Sequence, residues 1–346
     1  MTLVNYYNYE DIRMLNFELT SKCALKCSRC ARVTDPGSFV QVDLPLDLIK
    51  KRIPTSIFNS HLLIDLSGNY GDPIYHRDFI EVIKYFKSFE TSLYIETNGS
   101  GRSRQWWDEV VSHLGPKDII SFSIDGLEDT NHIYRENARW GDIENAVAAC
   151  AGKVRTFWKF IVFKYNQHQI EEAQALAQKW AINKFKLVKS SLFYYGYGEE
   201  DDPLMPDLEY VQGSLAKKIE GIRNPVPLKA KSNQDEANHT LEKENQFQIH
   251  PKCITTQRHY ISSEGFYTPC CWISIFSKDN GFNIQKKKEF SLYHHDLKSI
   301  IEGPAMKELA ASWDQMDSAP KFCQKRCSEK VVGHSSHDFI KLAPKG

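Results

Sequence analysis

Between residues 14 and about 190, short β-type runs alternate with helix-type runs six times. No other feature restricts the fold of this chain so much. The strand-like runs are MLNFELT (14–20), HLLIDLS (61–67), SLYIET (92–97), DIISFSID (118–125), KFIVFKYN (159–166) and KFKLV (184–188). Between them, apolar residues recur at helical spacing: Phe79, Val82, Ile83, Phe86 and Phe89, then Trp106, Trp107, Val110, Val111 and Leu114. Residues 142–150 form a further helical stretch, and Ile170, Ala173, Ala177 and Trp180 share another face. A helix within LPLDLIKKRIPTSIF (44–58) is expected to end or kink at Pro54. Strand-then-helix alternation implies a parallel sheet with right-handed crossovers. The class is therefore α/β, either a doubly wound sheet or an incomplete β/α barrel. Both place their chemistry at the C-terminal ends of the strands. Residues 21–32, 68–73, 97–99 and 125–126 all follow predicted strands, so these turns are expected to meet at one mouth.

The character changes after about residue 200. EEDDPLMPD (199–207) is acidic and broken by proline, and residues 201–250 are polar, with one possible helix at 208–221. They are expected to be a connection. LFYYGYG (192–198) either packs in the core or linker or lines a substrate pocket. Residues 251–346 carry five cysteines among short elements, as expected of a small metal-stapled domain and its tail. Residues 1–13 form an N-terminal extension before the first strand, too short for a leader-binding domain.

Lys plus Arg equals Asp plus Glu at 44 each, so no basic surplus points to nucleic acid. No basic start followed by an apolar run marks a signal peptide, and no stretch has the length of a membrane span. The expectation is a cytoplasmic chain with reduced thiols and no nucleic-acid or membrane partner. In that setting nine cysteines are metal or cluster ligands rather than disulfides. They fall in two groups, Cys23, Cys27 and Cys30, then Cys253, Cys270, Cys271, Cys323 and Cys327, with Cys150 alone on an apolar helical stretch, where it is expected to pack as a small buried residue.

CALKCSRC (23–30) offers three thiols and no nearby fourth ligand; the next histidine is His61. A structural zinc site usually takes four ligands. A 4Fe–4S cluster can instead hold three thiolates and leave its fourth iron for an external ligand.

A C-x3-C-x2-C directly after a first strand resembles the radical SAM superfamily. Three further turns match it in order. Gly71-Asp72-Pro73 stands where that family has a glycine-rich turn for the amino group of S-adenosylmethionine, with Asp replacing the usual Glu. TNG (97–99) follows the third strand, and SIDG (123–126) ends the fourth. The resemblance covers about half the chain, residues 14–190. It implies a partial (β/α)6 TIM-like barrel, a SAM-binding 4Fe–4S cluster on Cys23, Cys27 and Cys30, and SAM contacts from Gly71, Asp72, Pro73, Glu96, Thr97, Asn98, Ser123, Asp125 and Arg135. Glu96 and Thr97 would face the ribose, and Ser123 with Arg135 the SAM carboxylate, a target suited to a guanidinium fork. Arg29 stands where relatives often place an aromatic ring; it either stacks on adenine or points to water.

Cys253, GFYTPCC (265–271) and Cys323-x3-Cys327 resemble the SPASM/twitch extension of such enzymes. Five cysteines suit its one-cluster twitch form. This implies an auxiliary 4Fe–4S cluster on Cys253, Cys270, Cys323 and Cys327, with zinc as the alternative. Cys271 is left as an alternative ligand, a hydrogen-atom donor or a packing residue.

The resemblance implies an oxidoreductase. Reductive cleavage of SAM yields a 5′-deoxyadenosyl radical, which takes a hydrogen atom from substrate. The substrate is a peptide or protein side chain; the alternative is a sugar-like or aminocyclitol small molecule. A non-catalytic Fe–S or zinc protein is the reading from another class. Lys22, Lys26, Arg29 and Arg32 surround the first cysteine loop. They form either a docking patch for flavodoxin or ferredoxin as electron donor or a solvated basic loop.

Overall fold

The structure is a computed structural model and describes residues 8–34, 36–37, 39–190, 202–207, 210, 247–271, 273, 287–314 and 316–330. Most of the expected connection, the expected helix at 208–221, the aromatic run 192–198 and the tail after residue 330 lie outside the described residues.

Six parallel strands form the body: β1 (Met14–Phe17), β2 (Leu63–Leu66), β3 (Ser92–Thr97), β4 (Ile119–Ser123), β5 (Arg155–Val162) and β6 (Lys184–Lys189). They lie in sequence order, each beside the next. Helices α1 (Ala31–Thr34), α2 (Leu46–Arg52), α3 (Phe79–Lys87), α4 (Arg104–Ser112), α5 (Asn131–Tyr134), α6 (Trp140–Cys150) and α7 (Ile170–Lys179) fall between them. This is the α/β alternation expected from the sequence, and α2 does stop before Pro54.

β5 begins and ends four residues earlier than the expected 159–166. The Phe163 amide donates to Asn166 Oδ1 (2.7 Å), and this side-chain turn captures the chain before it can continue as strand.

The C-terminal residues join the same sheet. β7 (Phe247–Ile249) precedes α8 (Lys252–Thr256) and β8 (Arg258–Ile261), which pairs parallel to β1, and β9 (Tyr267–Thr268) then pairs antiparallel to β8. The eight-stranded order is β6-β5-β4-β3-β2-β1-β8-β9. The expected boundary at residue 251 is therefore not a boundary of the sheet. Beyond it lie α9 (Leu297–Ile301), α10 (Pro304–Ala311), α11 (Lys321–Cys327) and β10 (Ser328–Lys330), which pairs with β7.

One face of each strand packs under the helices. Leu15, Phe17, Ile64, Leu66, Leu93, Ile95, Ile120, Phe122, Trp158 and Phe160 are all buried, and this apolar face drives the sheet onto α3, α4, α6 and α7. The alternate positions carry polar side chains: Asn16, Asp65, Tyr94, Glu96, Ser123 and Lys159. Cys150 is buried in α6, as expected. Within the described part of the N-terminal extension, Tyr9 is buried and its hydroxyl donates to Pro54 O (3.0 Å).

Candidate functional site

The cysteine loop leaves the C-terminal end of β1 and folds tightly. Cys30 N donates to Cys27 O (3.0 Å), Val33 N and Thr34 N of α1 donate to Cys30 O (2.8 and 3.0 Å), and Arg32 Nη1 donates to Leu25 O (3.1 Å). Lys26 N donates to Glu136 O (3.0 Å), fastening the loop beside Arg135. Burial, with Asp72 adding, pushes the Cys23 thiol up to about 12. Burial also pushes Cys27 up to about 11, against the pull of the Arg135 guanidinium. Such thiols stay protonated in water and ionise on binding a metal.

The turn after β2 packs against the segment that follows β1, where Asp72 N donates to Lys22 O (3.0 Å). A Cβ on Gly71 would lie 1.7 Å from the Thr20 carbonyl oxygen, so only glycine fits. Asp72 caps the short helical turn Pro73–Tyr75 through Ile74 N (3.3 Å). Its other oxygen accepts from Thr97 Oγ1 (3.1 Å), Asn98 N (2.7 Å) and Asn98 Nδ2. The Asp72 carboxylate thus locks the second turn to the third, and its hydrogen-bonding capacity is engaged within the protein. Burial raises it to about 6 despite these bonds. Asn98 also places Nδ2 3.7 Å from Cys23 Sγ. Gly99 follows at φ +75°, a left-handed conformation that lets the TNG turn close.

Glu96, Ser123, Asp125 and Arg135 form the other side. Ser123 Oγ donates to Glu96 Oε1 (3.1 Å), and Lys159 donates to Glu96 Oε2. Burial would raise the Glu96 carboxyl, but Lys159 outweighs it and holds the group below its ordinary range. Arg135 pairs with Asp125 Oδ2 through Nη2 (2.7 Å) and Nε (2.8 Å). Burial opposes the charge on Arg135, yet the Asp125 carboxylate keeps it firmly protonated. Ser123 and Arg135 therefore sit in the same region but bond different carboxylates. Every SAM contact implied by the resemblance lies on this end of the sheet.

Two residues escaped the sequence reading. Lys159 lies between Trp158 and Phe160 in the middle of RTFWKFIV; a charge inside an aromatic run was the available signal. Glu18 is 1% exposed and accepts from Tyr70 N (2.6 Å), Gly71 N (3.3 Å), Tyr260 OH (2.7 Å) and Ser263 Oγ (3.5 Å). Burial raises its pKa against these bonds. Nothing local in NFELT announces partners more than 240 residues away.

Arg29 pairs with Asp202 (2.9 Å). Lys22 pairs with Asp43 (2.8 Å), which also binds Arg77 (3.2 Å). Two of the four basic residues around the cysteine loop are thus paired with carboxylates.

In the C-terminal group, Cys323 and Cys327 are four apart on α11 and so share one helical face. Cys323 is buried in the core, and Cys270 and Cys327 pack against that core; burial, with Cys327 and Cys270 adding, pushes the Cys323 thiol up to about 12. Cys253 is buried at the start of α8, and His250 N donates to Cys327 O (2.7 Å), joining the two segments. Asn69 Nδ2 reaches Cys271 O (3.4 Å), so the glycine turn touches this group. Among the described residues no three His, Cys, Asp or Glu side chains converge on a position for one metal ion. A cubane imposes a different geometry, since each thiolate bonds its own iron. Soft thiolate sets of this kind fit an Fe–S cluster.

No protein-family model matches the chain. It is 26% identical over 122 residues to a tungsten-containing aldehyde ferredoxin oxidoreductase cofactor-modifying protein of Pyrococcus furiosus; the match spans 35% of this chain and 33% of that protein's length. Among solved structures it is similar to Streptococcus suis SuiB bound to S-adenosylmethionine (TM-score 0.54, 15% identity, 86% of this chain and 67% of SuiB). It is also similar to anSMEcpe with bound S-adenosylmethionine and the Kp18Cys peptide (TM-score 0.53, 14% identity, 91% of this chain and 88% of that one). The partial parallel barrel implied by the resemblance to radical SAM enzymes is therefore the fold of this chain.

Proposed function

We propose that this chain is a radical SAM enzyme of the SPASM/twitch type that carries out a net oxidation or other modification of a peptide or protein side chain. The observation that carries this reading is the meeting of four turns. The three-cysteine loop and its flank meet Asp72 (N to Lys22 O, 3.0 Å) and Asn98 (Nδ2 to Cys23 Sγ, 3.7 Å) on one side and the segment after Arg135 (Lys26 N to Glu136 O, 3.0 Å) on the other. Cys23, Cys27 and Cys30 would hold a 4Fe–4S cluster, and Cys253, Cys270, Cys323 and Cys327 an auxiliary one. When bound, the first cluster supplies the electron that splits S-adenosylmethionine into methionine and a 5′-deoxyadenosyl radical. Gly71, the 97–98 turn, Ser123 and Arg135 bind and orient S-adenosylmethionine. Orientation and exclusion of water are the protein's part of such chemistry.

Arg135 keeps its charge beside Asp125 and is the group for the SAM carboxylate. Glu96, on the same side, is kept ionised by Lys159 and suits a ribose hydroxyl. A peptide substrate is supported by the structural relative solved with a peptide; a sugar-like or aminocyclitol substrate is the second outcome of the test. The ligand set suits a reducing cytoplasm and a flavodoxin or ferredoxin donor.

The test is anaerobic reconstitution followed by dithionite and S-adenosylmethionine. The expected products are 5′-deoxyadenosine and methionine, with about eight irons per chain. About four irons plus zinc would make the C-terminal site a zinc site. No 5′-deoxyadenosine from an intact, reduced cluster would favour the non-catalytic reading.

A further inference from the structure

We propose that Glu18 is the positioning residue of the glycine turn, fixing residues 68–71 for the amino group of S-adenosylmethionine and tying that turn to strand β8. The proposal rests on the SAM reading above and names a residue that the reading does not use.

The two carboxylate oxygens divide their work. Oε1 accepts from the Tyr70 and Gly71 amides, and Oε2 accepts from Tyr260 and Ser263, in and just after β8. Glu18 N also donates to Ile261 O (2.9 Å), so the backbone binds β8 as well. None of the four side-chain partners is a cation. A buried carboxylate without a cation persists only where several donors hold it. An apolar side chain at this point would leave the Tyr70 and Gly71 amides and the Tyr260 hydroxyl without this acceptor.

These bonds have a geometric consequence. In a planar trans peptide the carbonyl preceding an amide points the opposite way. Turning the Tyr70 and Gly71 amides onto Glu18 therefore directs the Asn69 and Tyr70 carbonyls away from it. Carbonyl oxygens presented by a fixed turn are the acceptors an ammonium group needs. Close packing fixes the turn further: a Cβ on Gly68 would meet Gly71 O at 2.6 Å and Glu18 Oε1 at 3.1 Å. From the far side, Asn69 Nδ2 bonds Cys271 O. The turn is thus held by β1 and by the C-terminal segment together.

The test compares wild type, Glu18→Ala and Tyr260→Phe as full-length proteins. Hydrogen exchange is followed at the Tyr70 and Gly71 amides without S-adenosylmethionine. Equilibrium dialysis then measures its binding to the anaerobically reconstituted proteins. Glu18→Ala should speed exchange at both amides and weaken binding by roughly tenfold or more, the loss that unsatisfied buried donors imply. Tyr260→Phe keeps the bonds to Oε1, folds without a new cavity, and should weaken binding by roughly two- to fivefold. If Glu18→Ala does not fold, Tyr260→Phe decides. Wild-type exchange at Tyr70 with wild-type affinity in folded Glu18→Ala, or wild-type affinity in Tyr260→Phe, overturns the proposal. Failure of the wild-type protein itself to bind S-adenosylmethionine overturns the reading beneath it.

Discussion

Asn98 joins the third turn to the first: its side-chain amide lies 3.7 Å from Cys23 Sγ and also bonds the Asp72 carboxylate. Hydrogen bonds to cluster sulfurs raise reduction potential. Asn98→Ala should therefore lower the midpoint potential of the cluster proposed on Cys23, Cys27 and Cys30 by roughly 20–60 mV, the equivalent of one hydrogen bond. A potentiometric titration read by electron paramagnetic resonance checks this.

Gly71 tests the close approach of the second turn. Gly71→Ala would drive its Cβ into the rigid Thr20 carbonyl, so the turn must move. The variant should bind S-adenosylmethionine at least roughly tenfold more weakly, since a small misplacement of a binding group has large effects. Isothermal titration of the reconstituted protein measures the loss.

Lys159 and Glu96 should be coupled. Lys159→Met leaves the Glu96 carboxylate without its cation on the polar face of the sheet and should destabilise the fold by about 1–3 kcal/mol. Adding Glu96→Gln removes the stranded charge and should restore much of the loss. A double-mutant cycle by urea unfolding gives the coupling energy.

His259 predicts an acid-sensitive stability. It is 2% exposed, its Nδ1 lies 2.6 Å from the Tyr267 hydroxyl, and burial lowers its pKa from 6.5 to about 3. Between those values the unfolded chain binds a proton that the folded chain does not. The contribution is fully present above pH 6.5 and is lost as the pH falls toward 3. About 2 kcal/mol should disappear by about pH 5. Thermal unfolding across that range, compared with His259→Gln, should show a flatter profile for the variant.

The alternation of strands and helices was legible because each element had its own period and length. The four site turns were legible because each follows a strand. β5 was misplaced because its end is set by the Phe163–Asn166 side-chain turn rather than by hydrophobicity. β8 was missed as part of the barrel sheet because its partner, β1, lies some 240 residues earlier. Arg29 was open between adenine and water; its pairing with Asp202 came from a segment whose position no local pattern encodes. Glu18 was invisible for the same reason, since its meaning depends on Tyr260 and Ser263.

The central claim is that the three-cysteine loop leaves an iron open to S-adenosylmethionine. The direct measurement is electron–nuclear double resonance on the reduced, reconstituted protein, with S-adenosylmethionine carrying isotope-labelled nitrogen in its amino group. The account predicts a hyperfine coupling from that nitrogen to the cluster, lost in Cys27→Ala. An intact reduced cluster on Cys23, Cys27 and Cys30 that shows no coupling at saturating S-adenosylmethionine would contradict it.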